Sequence, residues 1–375
     1  MGGPVITAGG RLVLDDAIVA GRLVLEDGRI AAIEPDEREA GGPYLAPGFV
    51  DLHVHGWGGH NAMGPRADLD GMARALLRRG VTAFLPTAVT AGLDTLAAFA
   101  ERVRGWLPDA PPDGAEPLGF NLEGPFLAPS RKGAQNPAFI AVPAAVPFDV
   151  LRPLLPGLKV MTVAPEVEGG LELIRRLVAG GVVVSLGHSA AGLDQARAGY
   201  AAGARSTTHL FNAMSGIDHH APGLAVAALT DDAVTVELIA DGHHVHPALW
   251  PIVERAKPAG RLILVSDALP QAGLGDGRMV IGGLEVDVRA GSARLVGTDT
   301  LAGSLIALDS AVRNLVAVGL ALPAAVAAAS RNPLGLLGLT DRGRLAVGQR
   351  ADLVELDDAL DVIRVARAGN WISAR

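Results

Sequence analysis

Eight short apolar runs, most of them separated by stretches of helical period, constrain this chain more than any other feature. The runs occupy residues 49–54, 81–85, 118–122, 159–163, 182–186, 205–208, 234–239 and 262–265, and residues 69–79, 93–106, 171–179 and 193–202 carry the helical period between them. Strands alternating with helices build parallel sheets, because each crossover returns the chain to the end of the sheet where the previous strand began. Eight such units suit a (β/α)8 TIM-like barrel. A doubly wound sheet alternates in the same way, so the count alone admits both. Residues 278–298 break the rhythm and read as a β-hairpin insertion after the eighth strand; closing helices follow over 305–318 and 322–330. Residues 4–46 hold short β-like runs with Asp27-Gly28 as a hairpin signal, and 351–356, 362–366 and 370–373 are again strand-like. The expected organisation is a barrel over 48–344, carrying the insertion, and a small β-sandwich domain built by 1–47 together with 345–375.

The 375 residues, 49% of them hydrophobic, suffice for a core of that size. A net charge of −8 without any basic run argues against a nucleic-acid or anionic-membrane partner. The chain has no cysteine, so disulfide and thiol chemistry are absent, which fits a reducing compartment. Residues 1–17 lack the charged leader and continuous apolar stretch of a secretory signal. The most membrane-like window, 308–329, is interrupted by Arg313, Asn314 and Pro323 and reads as packed helices. A cytoplasmic protein acting on a small molecule is the expectation.

Polar residues recur where the runs end. His53 and His55 follow the first run in DLHVHG, and Glu123 follows the third in LGFNLEGP, where Gly124 and Pro125 stop the strand. His188 follows the fifth run in SLGHS, His209 the sixth in THLFNAM, His243, His244 and His246 the seventh, and Asp267 the eighth in VSDA. In a barrel only the loops at the C-terminal ends of the strands converge on one mouth. Imidazole and carboxylate suit Zn²⁺ or Fe²⁺, and one Glu with two His leaves a position open for chemistry. Glu123, His188 and His209 are therefore metal-ligand candidates. His53 and His55 share a strand face, because alternate residues point the same way. Against each lone histidine stands the ordinary reading of a core or surface imidazole. His60 and His219 are read as surface residues, and His246 as a loop or helix-start residue before Pro247.

The residues PGFVDLHVHG resemble the opening signature of the amidohydrolase superfamily, and GRLAVGQRADLVELD resembles its C-terminal strand motif. LEGPFL, SLGHS, THLFNAM, ADGHHVHP, VSDA and LAGS, in this order, resemble the N-acetylglucosamine-6-phosphate deacetylase family within it. Many superfamily members carry a carbamylated Lys as bridging ligand; Glu123 stands in its place here. The resemblance implies removal of an acetyl group from an amino-sugar phosphate, giving acetate and glucosamine 6-phosphate. It implies Glu123, His188 and His209 as metal ligands, His53 and His55 as ligands of a possible second ion, and Asp267 as acid/base. Asn212 and Ala213 match sugar contacts, His244 a contact near the phosphate, and Leu301, Ala302 and Gly303 a backbone segment along the acyl pocket. Ala134 and Gln135 lie on the substrate loop after Glu123, and Gln135 replaces a His that the family uses near the scissile amide. His220 replaces an Arg that grips the phosphate, often in the neighbouring subunit's site, so a homodimer with a cross-subunit contact is implied. Two other readings of the residues stand beside this one: the same chemistry on another N-acylated or unphosphorylated sugar, and a metal-binding barrel without turnover.

Overall fold

The computed structural model describes residues 6–373. Residues 1–5, where the stretch read as lacking a secretory signal begins, and residues 374–375, the last of the expected terminal domain, lie outside the described residues. Strands Phe49–Val54, Val81–Ala88, Phe120–Glu123, Leu158–Val163, Val183–Leu186, Ser206–Thr207, Thr235–Leu238 and Leu262–Leu264 are hydrogen-bonded in chain order. Every neighbouring pair among them is parallel. The seam between the first and eighth strands closes at the mouth through a parallel bridge from Val54 to Ala268. There Asp267 N donates to His53 O at 2.8 Å and His55 N to Ala268 O at 2.9 Å. The architecture is thus the expected (β/α)8 barrel; a doubly wound sheet would leave these two strands at different edges.

The helices are amphipathic and cover the barrel. In Leu93–Trp106 the buried residues are Leu96, Phe99, Ala100, Val103 and Trp106, one face of a 3.6-residue period. Each such large side chain contributes about 1.5–3 kcal/mol on burial. Inside the barrel, Val50, Leu52, Ala83, Leu85, Val160, Ile263 and Val265 pack with Leu334 and Leu336. The last two belong to helix Arg331–Leu336, whose Asn332 donates to Leu262 O at 2.8 Å, at the start of the eighth strand. Hydrocarbon fills that end and leaves the polar residues to the opposite mouth.

Both termini enter one seven-stranded mixed sheet. Tyr44–Pro47 joins them, pairing parallel with Ile6–Val13 and antiparallel with Leu353–Leu356. The sheet curls so that the Asp27-Gly28 turn meets the segment at 349–351: Ala351 N donates to Gly28 O and Ile30 N to Gln349 O, at 2.8 and 2.9 Å. Leu12, Leu23, Leu25, Ile30, Leu45 and Leu353 are buried within the curl. Where this unit meets the barrel, Glu116 accepts from Arg342 at 2.9 Å and also from Arg350, which pairs with Asp352 at 3.1 Å.

The insertion differs from the expected hairpin. Gly277–Ile281, Leu284–Arg289 and Ser292–Leu295 form a three-stranded antiparallel sheet. The third strand is four residues long with Arg294 within it, so in the sequence it reads as part of a turn. Ile281, Val286, Val288, Ala293 and Leu295 pack against Val89 and Leu269, which seats the sheet at the barrel mouth.

Candidate active site

Glu123, His188 and His209 each bring one ligand atom within 4.8 Å of the others, as do His53, His55 and Glu123, and all five residues are buried. The Nε2 atoms of His188 and His209 are 3.1 Å apart and lie 3.0 and 2.9 Å from Glu123 Oε1. The other ring nitrogens decide what this contact is. His188 Nδ1 is 2.9 Å from the Arg131 carbonyl oxygen, so it carries the proton and donates. In the neutral ring this leaves Nε2 as a bare lone pair aimed at a carboxylate oxygen. His55 repeats the arrangement. Its Nδ1 donates to Thr87 O at 3.1 Å, and its Nε2 faces Glu123 Oε2 at 3.3 Å and Asp267 Oδ1 at 3.1 Å. Lone pairs facing lone pairs in a buried site repel unless positive charge, a metal ion or a proton, lies among them. Donors about 2.0–2.2 Å from a tetrahedral ion stand about 3.3–3.6 Å apart, a few tenths of an ångström wider than the triangle seen here.

Among the described residues His53 Nε2 has no hydrogen-bond partner, and it lies 3.6 Å from Glu123 Oε1 and 3.5 Å from Asp267 Oδ1. The donor set therefore fits one ion on Glu123, His188 and His209, and a second on His53, His55 and Glu123. The electrostatics agree. Burial opposes charge on His53 and His55, yet Glu123 and Asp267 hold His53 well above its ordinary range and His55 at about 9. Burial likewise works to raise Glu123 and Asp267, but the imidazoles, His53 foremost, hold Glu123 well below and Asp267 below the usual carboxylate range. With no ion among these groups, protons on the imidazoles supply positive charge to the cluster.

Other side chains fix these residues in place. Glu237 Oε2 accepts from His209 N at 3.1 Å and lies 3.2 Å from His53 Nδ1. Asp51 Oδ1 accepts from His53 N and Ser266 N, both at 3.2 Å, and burial pushes its carboxyl up to about 6. Sequence reasoning missed Asp51, Thr87 and Glu237; the one signal available was a polar residue inside an apolar run. His188, His209, Phe211, Ala213 and Asp267 all have positive φ, between 29° and 78°, a strained backbone for side-chain-bearing residues. The strain gathers at the site and turns these residues off the strand ends into the mouth.

A cavity of about 490 Å³ opens over the centre. It is lined by His55, Glu123, His188, His209 and Asp267, and by the sequence-predicted Ala134, Gln135, Asn212, Ala213, His244, Leu301, Ala302 and Gly303. His53 is fully buried behind it. Gly303, at φ +125°, passes so close that a Cβ would stand 3.0 Å from Asp267 O. The Gln135 amide, expected near the scissile bond, is engaged within the protein: Nε2 donates to Glu123 Oε2 at 2.5 Å and Oε1 accepts from Thr90 N at 2.8 Å. His244 Nδ1 is 2.7 Å from Asp241 Oδ2, and this partner raises its pKa despite burial. His220 stands apart. Asp218 Oδ1 accepts from His220 N and Ala221 N, which turns the loop outward, and the exposed ring lies against His219 rather than in the cavity of its own chain. His243, Arg294, Asp299 and Thr300 also line the cavity, and none of these had been expected there as substrate contacts.

The barrel mouth with its Glu/His clusters defines the class: the Amidohydrolase family model matches residues 44–372, and the chain belongs to this family. Among its relatives, N-acetylgalactosamine-6-phosphate deacetylase of Escherichia coli O157:H7 is 41% identical over 94% of each chain. N-acetylglucosamine-6-phosphate deacetylase of Bos taurus is 39% identical over 95% of this chain and 91% of its own. Among solved structures, a variant of N-acetyl-D-glucosamine-6-phosphate deacetylase from Mycobacterium smegmatis, in complex with N-acetyl-D-glucosamine-6-phosphate, superposes with a TM-score of 0.91 at 38% identity. It covers 98% of this chain and 99% of that one. No described helix is long and apolar enough to cross a membrane.

Proposed function

We propose that this chain hydrolyses the acetamide of N-acetylglucosamine 6-phosphate to acetate and glucosamine 6-phosphate, using one or two divalent ions. The observation that carries the reading is the convergence of His55 Nε2 and His188 Nε2 on Glu123 beside Asp267, under a cavity of about 490 Å³. Glu123, His188 and His209 would hold the ion, with His53 and His55 for a second; the donor set suits Zn²⁺ or Fe²⁺. Such an ion supplies Lewis acidity toward the amide carbonyl and makes water acidic. Asp267 takes the proton of the attacking water and passes it to the departing amine. Held below the usual carboxylate range, it is ionised and ready to accept. Glu237 and the Thr87 and Arg131 carbonyls keep the imidazoles oriented. Asn212, Ala213 and the 301–303 backbone bound the sugar and acyl ends.

The relative that acts on the galactosamine sugar favours a second substrate, the C4 epimer. A panel of both N-acetylhexosamine 6-phosphates and both unphosphorylated sugars separates the readings. The glucosamine reading predicts the highest kcat/KM for its own 6-phosphate, and a preference for the epimer or indifference to the phosphate would overturn it. Removing the metal with a strong chelator is expected to abolish acetate release and lower Tm, with recovery on adding Zn²⁺ back. An ion present at 1,000 times its Kd stabilises by about 4.1 kcal/mol; an unchanged Tm and rate after verified removal would count against a metal site.

A further inference from the structure

We propose that Arg294 is the cation that grips the substrate phosphate, supplied in cis by the chain's own inserted sheet. The assignment rests on the amino-sugar phosphate reading above. With the acetamide at Glu123 and Asp267, the phosphate at the far end of the sugar needs a cation elsewhere in the cavity. Arg294 is the one Arg or Lys among the residues that line it. Its strand, Ser292–Leu295, is bridged antiparallel from Arg294 to Leu301, so its backbone is tied to the segment along the acyl side. One Nη donates to the Asp299 carbonyl oxygen, which anchors the guanidinium. Among the described residues no carboxylate pairs with it and its other N–H groups have no protein acceptor, so the fork is open to a ligand.

His244 completes the pair. The inserted sheet reaches the loop that carries it, since a Cβ at Gly291 would stand 3.7 Å from His243 Nε2. Asp241 engages His244 Nδ1 at 2.7 Å, and His244 lines the same cavity. The charge of Arg294 is felt at His244, where it opposes protonation; a dianion between the two would relieve that repulsion. A guanidinium offers phosphate two parallel N–H donors and never loses its charge. His220 offers neither in its own chain, because it lies outside the cavity.

The test uses metal-loaded full-length protein and measures acetate release from N-acetylglucosamine with and without the 6-phosphate. In Arg294→Ala the ratio of kcat/KM, phosphorylated over unphosphorylated, is expected to fall roughly 10–100-fold, chiefly through KM. Arg294→Lys should restore part of it as a point charge. Co-expression of Arg294→Ala with Asp267→Asn, followed by purification through tags on both chains, tests the cis claim: no recovery of the ratio is expected, and recovery would place Arg294 in the partner's site. An unchanged ratio in Arg294→Ala, with an active wild type, overturns this assignment alone. A wild type that releases acetate from neither sugar overturns the functional reading and this assignment with it.

Discussion

Glu123→Gln is expected to give a folded protein that holds no divalent ion and releases no acetate. Glu123 is the shared member of both candidate ion sites: Oε1 faces His188 and His209, and Oε2 faces His55. An amide of the same shape keeps the packing and can still meet Gln135, but it carries no charge to offset an ion in a buried site. Loss of the ion removes both carbonyl polarisation and water activation. A drop in kcat/KM of at least about 10⁴-fold, equivalent to about 5.4 kcal/mol of barrier, is expected. Elemental analysis beside the acetate assay checks it. Metal retained at the wild-type level, or wild-type turnover without metal, would remove Glu123 from the centre.

Asp267→Asn is expected to separate binding from chemistry. Asp267 Oδ1 lies 3.1 Å from His55 Nε2 and 3.5 Å from His53 Nε2, while Glu123, His188 and His209 form their cluster without it. The variant should therefore fold and keep metal on those three ligands. It has no group to take the water proton, and a general base of this kind is worth about 10²–10⁴-fold in rate. The loss should fall on kcat rather than KM, since the proposed sugar and phosphate contacts are untouched. Near-wild-type kcat in the metal-loaded variant would show that another group moves the proton.

The contrast between these two variants shows how much of the site was legible in the sequence. Strand ends were readable because a short apolar run that stops in a polar residue and a breaker marks where a buried strand meets a loop: Phe49–Val54 and Leu93–Trp106 fall where periodicity put them. Barrel closure then brings His53, Glu123, His188, His209 and Asp267 into one volume, which follows from topology rather than from any local pattern. The supports were not legible. Asp51 and Glu237 sit within apolar strands, and only the curvature of the barrel shows that they face His53 and His209. Arg294 is the one charged residue of a four-residue strand, which in the sequence reads as part of a turn until the packing of Val286, Val288 and Leu295 seats it over the mouth. His220, whose place after THLFNAM suggested the phosphate in a neighbouring subunit's site, has its ring turned out of its own chain's cavity, because Asp218 closes a turn on the backbone of His220 and Ala221.

The most direct measurement is simultaneous quantification of acetate and free amine as the metal-loaded protein acts on N-acetylglucosamine 6-phosphate. One acetate and one amine per turnover are predicted, with both signals lost on chelation and recovered with added Zn²⁺. Bound metal and intact sugar phosphate with neither product would contradict a metal-dependent deacetylase.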